Sequence, residues 1–275
     1  AALGTWDALV VAYEAAGASA NDPTVQATLL ARVARVHDEK RGDPRAAIET
    51  YERLLEVDPD DPTPLDSLEA LHTMVGDWRG LVEVLQRKVQ RAFDPVERGE
   101  LLRRAGSVLE ELLNDPAGAI EAYRSALVED EMDEIALESL DRLYAEAEDH
   151  AELAGVLRRR LEVEQDPATR VELSLRLGEV AEQHLRRPEE AIDAYRRALD
   201  EEPEQPTAVE ALARLYEQQA MWPELLDNLR LQAATAADPA SQVPLLYRAG
   251  EVLERELDDV PSALPTYEEV LQLDS

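Results

Sequence analysis

The string PAGAIEAYRSAL at residues 116–127 returns three more times in this chain. It reads PRAAIETYERLL at 44–55, PEEAIDAYRRAL at 188–199 and VPSALPTYEEVL at 260–271. Its tyrosines, Tyr51, Tyr123, Tyr195 and Tyr267, stand 72 residues apart at every step. A fixed internal period governs the fold more strongly than length does, because each repeated unit buries its apolar face only against its neighbours. The 275 residues are therefore expected to form one repeat array over 1–275. Its units run 22–93, 94–165 and 166–237, with partial units at 1–21 and 238–275. Both ends fall inside a unit, so the sequence reads as a piece of a longer chain.

Within each unit the apolar residues fall into four helical patterns. In the unit beginning at Asp94, Leu101, Leu102, Ala105, Val108, Leu109 and Leu112 recur at spacings of three and four, which is one helical face. Ala119, Ile120, Tyr123, Ala126 and Leu127 mark the second helix. Leu137, Leu140, Leu143 and Tyr144 mark the third, and Leu153, Val156, Leu157 and Leu161 the fourth. Asp-Pro pairs at 22–23, 94–95, 166–167 and 238–239 open a helix in every unit. The aspartate caps free N–H groups, and proline suits the first helical position. No sustained alternation of period two occurs, so strands are not expected. Pro265 stands where Glu49, Glu121 and Asp193 stand in the other copies. A proline inside a helix costs about 3 kcal/mol, so the last helix is expected to start near Ser262 or to kink.

These residues resemble the tetratricopeptide repeat, a helix-pair family. Residues 42–59 supply the Gly42-Asp43 turn, the small Ala47, the aromatic Tyr51 and the trailing Pro59. The first-helix dipeptide appears as Ala105-Gly106, Leu177-Gly178 and Ala249-Gly250, and the first copy departs from it at Ala34. Gly76-Asp77-Trp78, with Leu212-Ala213, Tyr216 and Trp222, carries the pattern in the alternate pairs. The interval from Gly106 to Ala119 is one residue longer than the family's. The resemblance implies an all-α, right-handed superhelical solenoid of antiparallel helix pairs, about fifteen helices in all, whose first helices line a concave groove. The period of 72 then reads as two unequal pairs.

Charge limits the partners. Lys and Arg number 28 against 60 Asp and Glu, a net charge of −32. A field of that sign repels nucleic acid and anionic membranes. Cysteine is absent, which removes disulfides, thiolate metal sites and cysteine nucleophiles. This fits a cytoplasmic protein. No apolar stretch is long enough to span a membrane, so membrane insertion is not expected. No phosphate-cradling glycine loop, zinc-binding helix motif or nucleophile elbow is present. Catalytic, cofactor and metal sites are accordingly expected to be absent.

Two polar columns remain. Arg32, Arg104, Arg176 and Arg248 recur in every unit on the first helix of a pair. They are the candidate partner-binding residues, since guanidinium groups grip carboxylates or phosphates in bidentate fashion. The alternative is internal pairing with acidic neighbours. Acidic clusters also recur on one loop, at Asp58, Asp60 and Asp61, then 129–134, then 200–204. A solvated edge, a basic partner or divalent cations could account for them, although the spacing lacks the Gly and terminal Glu of a calcium loop. Trp6, Trp78, His150 and Trp222 share one column, read as packing. The expected function is a non-catalytic scaffold binding a protein or peptide segment. The alternatives are a self-associating spacer and an acidic chaperone for basic proteins.

Overall fold

The computed structural model describes residues 2–273. The outermost residues of the expected array, 1, 274 and 275, lie outside them. The described residues are all-α, with fifteen α-helices and no strand. In the first half they are α1 (Ala2–Ser19), α2 (Pro23–Arg35), α3 (Pro44–Val57), α4 (Thr63–Val75), α5 (Trp78–Arg91), α6 (Pro95–Ser107), α7 (Pro116–Glu129) and α8 (Glu134–Glu146). The rest are α9 (His150–Val163), α10 (Pro167–Glu179), α11 (Pro188–Glu201), α12 (Pro206–Gln218), α13 (Trp222–Thr235), α14 (Pro239–Glu251) and α15 (Val260–Leu273). None is long and apolar enough to cross a membrane.

The chain divides within α8 into two compact units, one reaching Leu143 and the other starting at Tyr144. In the first, each helix from α1 to α7 packs on the next. In the second, α9 to α15 do the same. The starts follow local chemistry. Asp22, Asp94, Asp166 and Asp238 accept backbone N–H bonds from Thr24, Val96, Thr169 and Ser241 at 2.8–3.1 Å. A proline follows each of them.

The cores are built of small and aliphatic side chains. Ala119, Tyr123, Ala126 and Leu127 are buried on α7, and Ala191, Ile192, Tyr195 and Ala198 on α11. Leu112 does not join the α6 face as its spacing suggests and is exposed. The reason is local. At the ends of α2, α6, α10 and α14 the helix widens into π turns, at Val36–Arg41, Val108–Leu112, Val180–His184 and Val252–Glu256. A π turn holds one residue more than an α turn, and each extra residue rotates the downstream side chains by about 100°.

Each π turn closes the same way. Gly42, Asn114, Arg186 and Asp258 adopt left-handed backbone, with φ of 60°, 51°, 54° and 50°. The following N–H reaches back six residues, as from Arg187 to the Ala181 carbonyl at 2.8 Å. The α4, α8 and α12 ends instead close on Gly76, Glu148 and Ala220, also left-handed. There the N–H reaches back five residues, as from Met221 to Tyr216 at 2.8 Å. Left-handed backbone costs an L-residue roughly 1–2 kcal/mol, and glycine recovers this less about 0.5–1 kcal/mol of unfolded-chain entropy. The exposed Ala220 is the cleanest place to measure it. Ala220→Gly is expected to raise stability by about 0.5–1 kcal/mol in urea titrations, with an unchanged slope.

Helix α15 begins at Val260, not near Ser262, and carries Pro265 inside it. Asp259 caps it, accepting from the Ser262 N–H at 3.2 Å with its carboxylate and from the Ala263 N–H at 3.0 Å with its carbonyl. The first turn is therefore held without Pro265, whose missing N–H removes one hydrogen bond in the second turn.

Candidate protein-interaction surface

The four arginines of the candidate column occupy equivalent places on α2, α6, α10 and α14, next to the helix-end π turns. Arg32 and Arg104 are exposed, and Arg176 and Arg248 are half-buried. Their surroundings differ. The Arg32 guanidinium lies 5.8 Å from the centre of the Tyr13 ring. Arg104 donates to Glu69, which also accepts from Lys88 at 2.5 Å. Arg248 pairs with Glu217 at 2.5 Å. Burial would raise the Glu69 carboxyl, but the bonds from Arg104 and Lys88 outweigh it and hold the group below its ordinary value. Arg104 thus pairs with a carboxylate 35 residues back and Arg248 with one 31 residues back, in a different column. Column position alone does not fix the partner.

A more regular polar contact lies on the π turns. The Tyr123 hydroxyl donates to Glu110 at 3.3 Å, Tyr195 to Glu182 at 3.4 Å and Tyr267 to Glu254 at 2.9 Å. Glu110 also accepts from Arg142, and Glu182 takes two bonds from Arg214, both 2.9 Å. Burial first, and then the Glu182 carboxylate, push the Tyr195 phenol up to about 12. Burial and Glu254 do the same for Tyr267, also to about 12. These tyrosines stay protonated donors near neutral pH and fasten the second helix of a pair to the π turn of the first. The signal was in the sequence as a recurring glutamate, but it was hidden among sixty acidic residues.

Beneath each ring sits a glycine. A Cβ on Gly106, Gly178 or Gly250 would lie 2.8, 2.7 or 2.5 Å from the nearest ring carbon of Tyr123, Tyr195 or Tyr267. The helices approach this closely only because that atom is missing.

The acidic loops are partly tied down from the preceding helix. Glu129 pairs with Arg98 and Glu201 with Arg170, each at 2.5 Å, and the buried Asp133 with Arg103 at 3.3 Å. The tryptophan column packs as its spacing suggests. Trp6, Trp78 and Trp222 are half-buried against separate apolar clusters. In the same column His150 stacks on His184, with ring centroids 3.7 Å apart and planes at 21°. The sequence places these two histidines in no common pattern. Among the described residues no group of three or more acidic or histidine side chains is arranged to hold a metal ion.

Two segments match family models described as tetratricopeptide repeat, residues 29–65 and 170–222. Comparison with curated proteins gave no match. Among solved structures, a crystal structure of MamA is 21% identical, spanning 62% of this chain and 96% of its own, with a TM-score of 0.36. YrrB, described as a TPR protein with an unusual peptide-binding site, is 18% identical over 67% of this chain and 91% of its own, also at 0.36. A tetratricopeptide repeat protein from Parabacteroides merdae is 15% identical over 90% and 93%, again at 0.36. Identities and scores this low speak to neither partner nor binding mode.

Proposed function

We propose that this chain, which carries tetratricopeptide repeats, is a non-catalytic scaffold binding a peptide or helical segment of a protein partner. Its period of 72 is read as a double repeat of two unequal helix pairs. Within each compact unit the binding face is the one formed by the first helices of those pairs. The observation that carries this reading is the arginine column: Arg32, Arg104, Arg176 and Arg248 recur on α2, α6, α10 and α14 of a chain with a net charge of −32. Extended faces of stacked helices suit such capture. Guanidinium groups set polar register on a partner's carboxylates, and rim charges of this kind act mainly on encounter and specificity. The ion pair of Arg248 with the exposed Glu217 does not compete strongly with a ligand, because exposed pairs contribute only about 0–1 kcal/mol.

The test is charge reversal at two members of the column. Arg104→Glu with Arg176→Glu is expected to weaken binding of a partner recovered by affinity capture at least tenfold. Helicity by circular dichroism should be unchanged. If binding survives and only the melting temperature falls, the column is structural and the reading fails.

A further inference from the structure

In an array of equivalent units, a residue required by the fold recurs in its column, and a departure towards exposed apolar character calls for a separate reason. One groove in the first unit is built from such departures. It lies between α6 and the α7–α8 loop, has a volume of about 480 Å³, and is lined by Gly99, Val96, Met132 and Ile135. Val96 is 74% exposed, Met132 45% and Ile135 56%. The sister units place Thr24, Ala168 and Ala240 in the Val96 column. They place Asp60 and Glu204 in that of Met132, and Thr63 and Thr207 in that of Ile135. Gly99 deepens the groove, since the next unit fills that position with the buried Val171. Nothing near Gly99 forbids a side chain: a Cβ there would meet no atom closer than 3.9 Å. Three residues before Val96, Phe93 is 97% exposed, where the sister units carry Asn21, Gln165 and Ala237.

The charge around this groove has one sign. Five carboxylates line it against a single arginine. Glu129 and Asp133 are engaged by Arg98 and Arg103, while Glu100, Asp130 and Glu134 are exposed. Exposed apolar surface rimmed by polar groups marks interaction sites, and complementary charge selects the partner. We infer that this groove docks a basic protein segment that presents one large apolar side chain flanked by Lys or Arg. The apolar side chain enters over Gly99 among Val96, Met132 and Ile135, and the flanking cations meet the acidic rim. This surface is separate from the arginine column and does not depend on it.

The probe is a fluorescein-labelled peptide, Arg-Lys-Leu-Trp-Lys-Arg, titrated into the full chain by anisotropy. Its controls are an acidic twin, Glu-Asp-Leu-Trp-Asp-Glu, and a basic peptide without apolar residues, Arg-Lys-Ser-Gly-Lys-Arg. The first is expected to bind one to one and at least tenfold tighter than either control. Gly99→Val and Ile135→Thr, both residues the sister units use, should each weaken it at least tenfold while helicity is retained. Met132→Glu separates the two contributions. It adds a negative charge, so binding by charge alone would be equal or tighter, whereas loss of the apolar wall makes it weaker. The inference is overturned if the three peptides bind alike, if Gly99→Val and Ile135→Thr leave the affinity unchanged, or if Met132→Glu binds as tightly as the parent or tighter.

Discussion

Gly178→Val is expected to lower the stability of the second unit by about 1–3 kcal/mol. The new Cβ alone would sit 2.7 Å from the Tyr195 ring, so the ring must move. It has nowhere to go. Tyr195 is 3% exposed, and its hydroxyl is tied to Glu182, which two bonds from Arg214 hold in turn. Gly178→Ala is the sharper companion, because two effects of known sign compete. Alanine is the better helix former by about 1 kcal/mol, and overpacking costs about 1–3 kcal/mol. A small net loss is expected, and a net gain in urea unfolding would show that the ring yields. The first repeat shows what yielding requires. There Ala34 replaces the glycine and is fully buried in the cluster that contains Tyr51. The carboxylate of the π turn is Asp38, one methylene shorter, and Tyr51 has no such tether among the described residues. Glycine and glutamate thus change together while the tyrosine stays, and Gly178→Ala combined with Glu182→Asp should lose less than the two single losses added.

The helices and their buried faces were legible because their signals are local. Asp-Pro caps and apolar spacings of three and four act within one turn of chain, and Leu140, Leu143, Leu153 and Leu157 are buried as those spacings require. Gly42 and Gly76 announced turns, and both are left-handed. Arg186, Glu148 and Ala220 take the same backbone without announcing it, because the surrounding helices impose a conformation their side chains do not favour. The recurrence of Arg32, Arg104, Arg176 and Arg248 was visible, but their contacts were not. Arg104 reaches Glu69 and Arg248 reaches Glu217, which lie in different columns. A long side chain chooses among many carboxylates by geometry that a sequence does not carry. The stack of His150 on His184 is likewise a contact between distant segments, reached only once α9 packs against the π turn after α10.

Deleting Gln183 is expected to leave the second unit folded, although deletions inside helices ordinarily are not tolerated. The interval from Gly178 to Ala191, like that from Gly106 to Ala119, is one residue longer than the repeat family's, and the π turn Val180–His184 is where that residue is accommodated. Removing the exposed Gln183 converts the i to i−5 bond from Leu185 to Val180 into an ordinary α-helical one. It also shortens the closure from Arg187 to Ala181 to the five-residue reach already used by Met221 and Tyr216. The apolar faces of α10 and α11 lie on either side of the turn and keep their own phase. What is lost is the Glu182 contact with Tyr195, worth about 0.5–1.5 kcal/mol. The control is deletion of the exposed Arg197 within α11. It rotates Ala198 and Leu199 by about 100° relative to Ala191, Ile192 and Tyr195, so one set or the other leaves the core. Burying an aliphatic or aromatic side chain contributes about 1.5–3 kcal/mol, and loss of several at once approaches the lower end of the roughly 5–15 kcal/mol by which a domain is stable. Circular dichroism and urea titration should therefore show cooperative unfolding with near-parental helicity for the Gln183 deletion, and no cooperative transition of the second unit for the Arg197 deletion. If both deletions unfold it alike, the π turn is an essential part of the packing and not an accommodated extra residue.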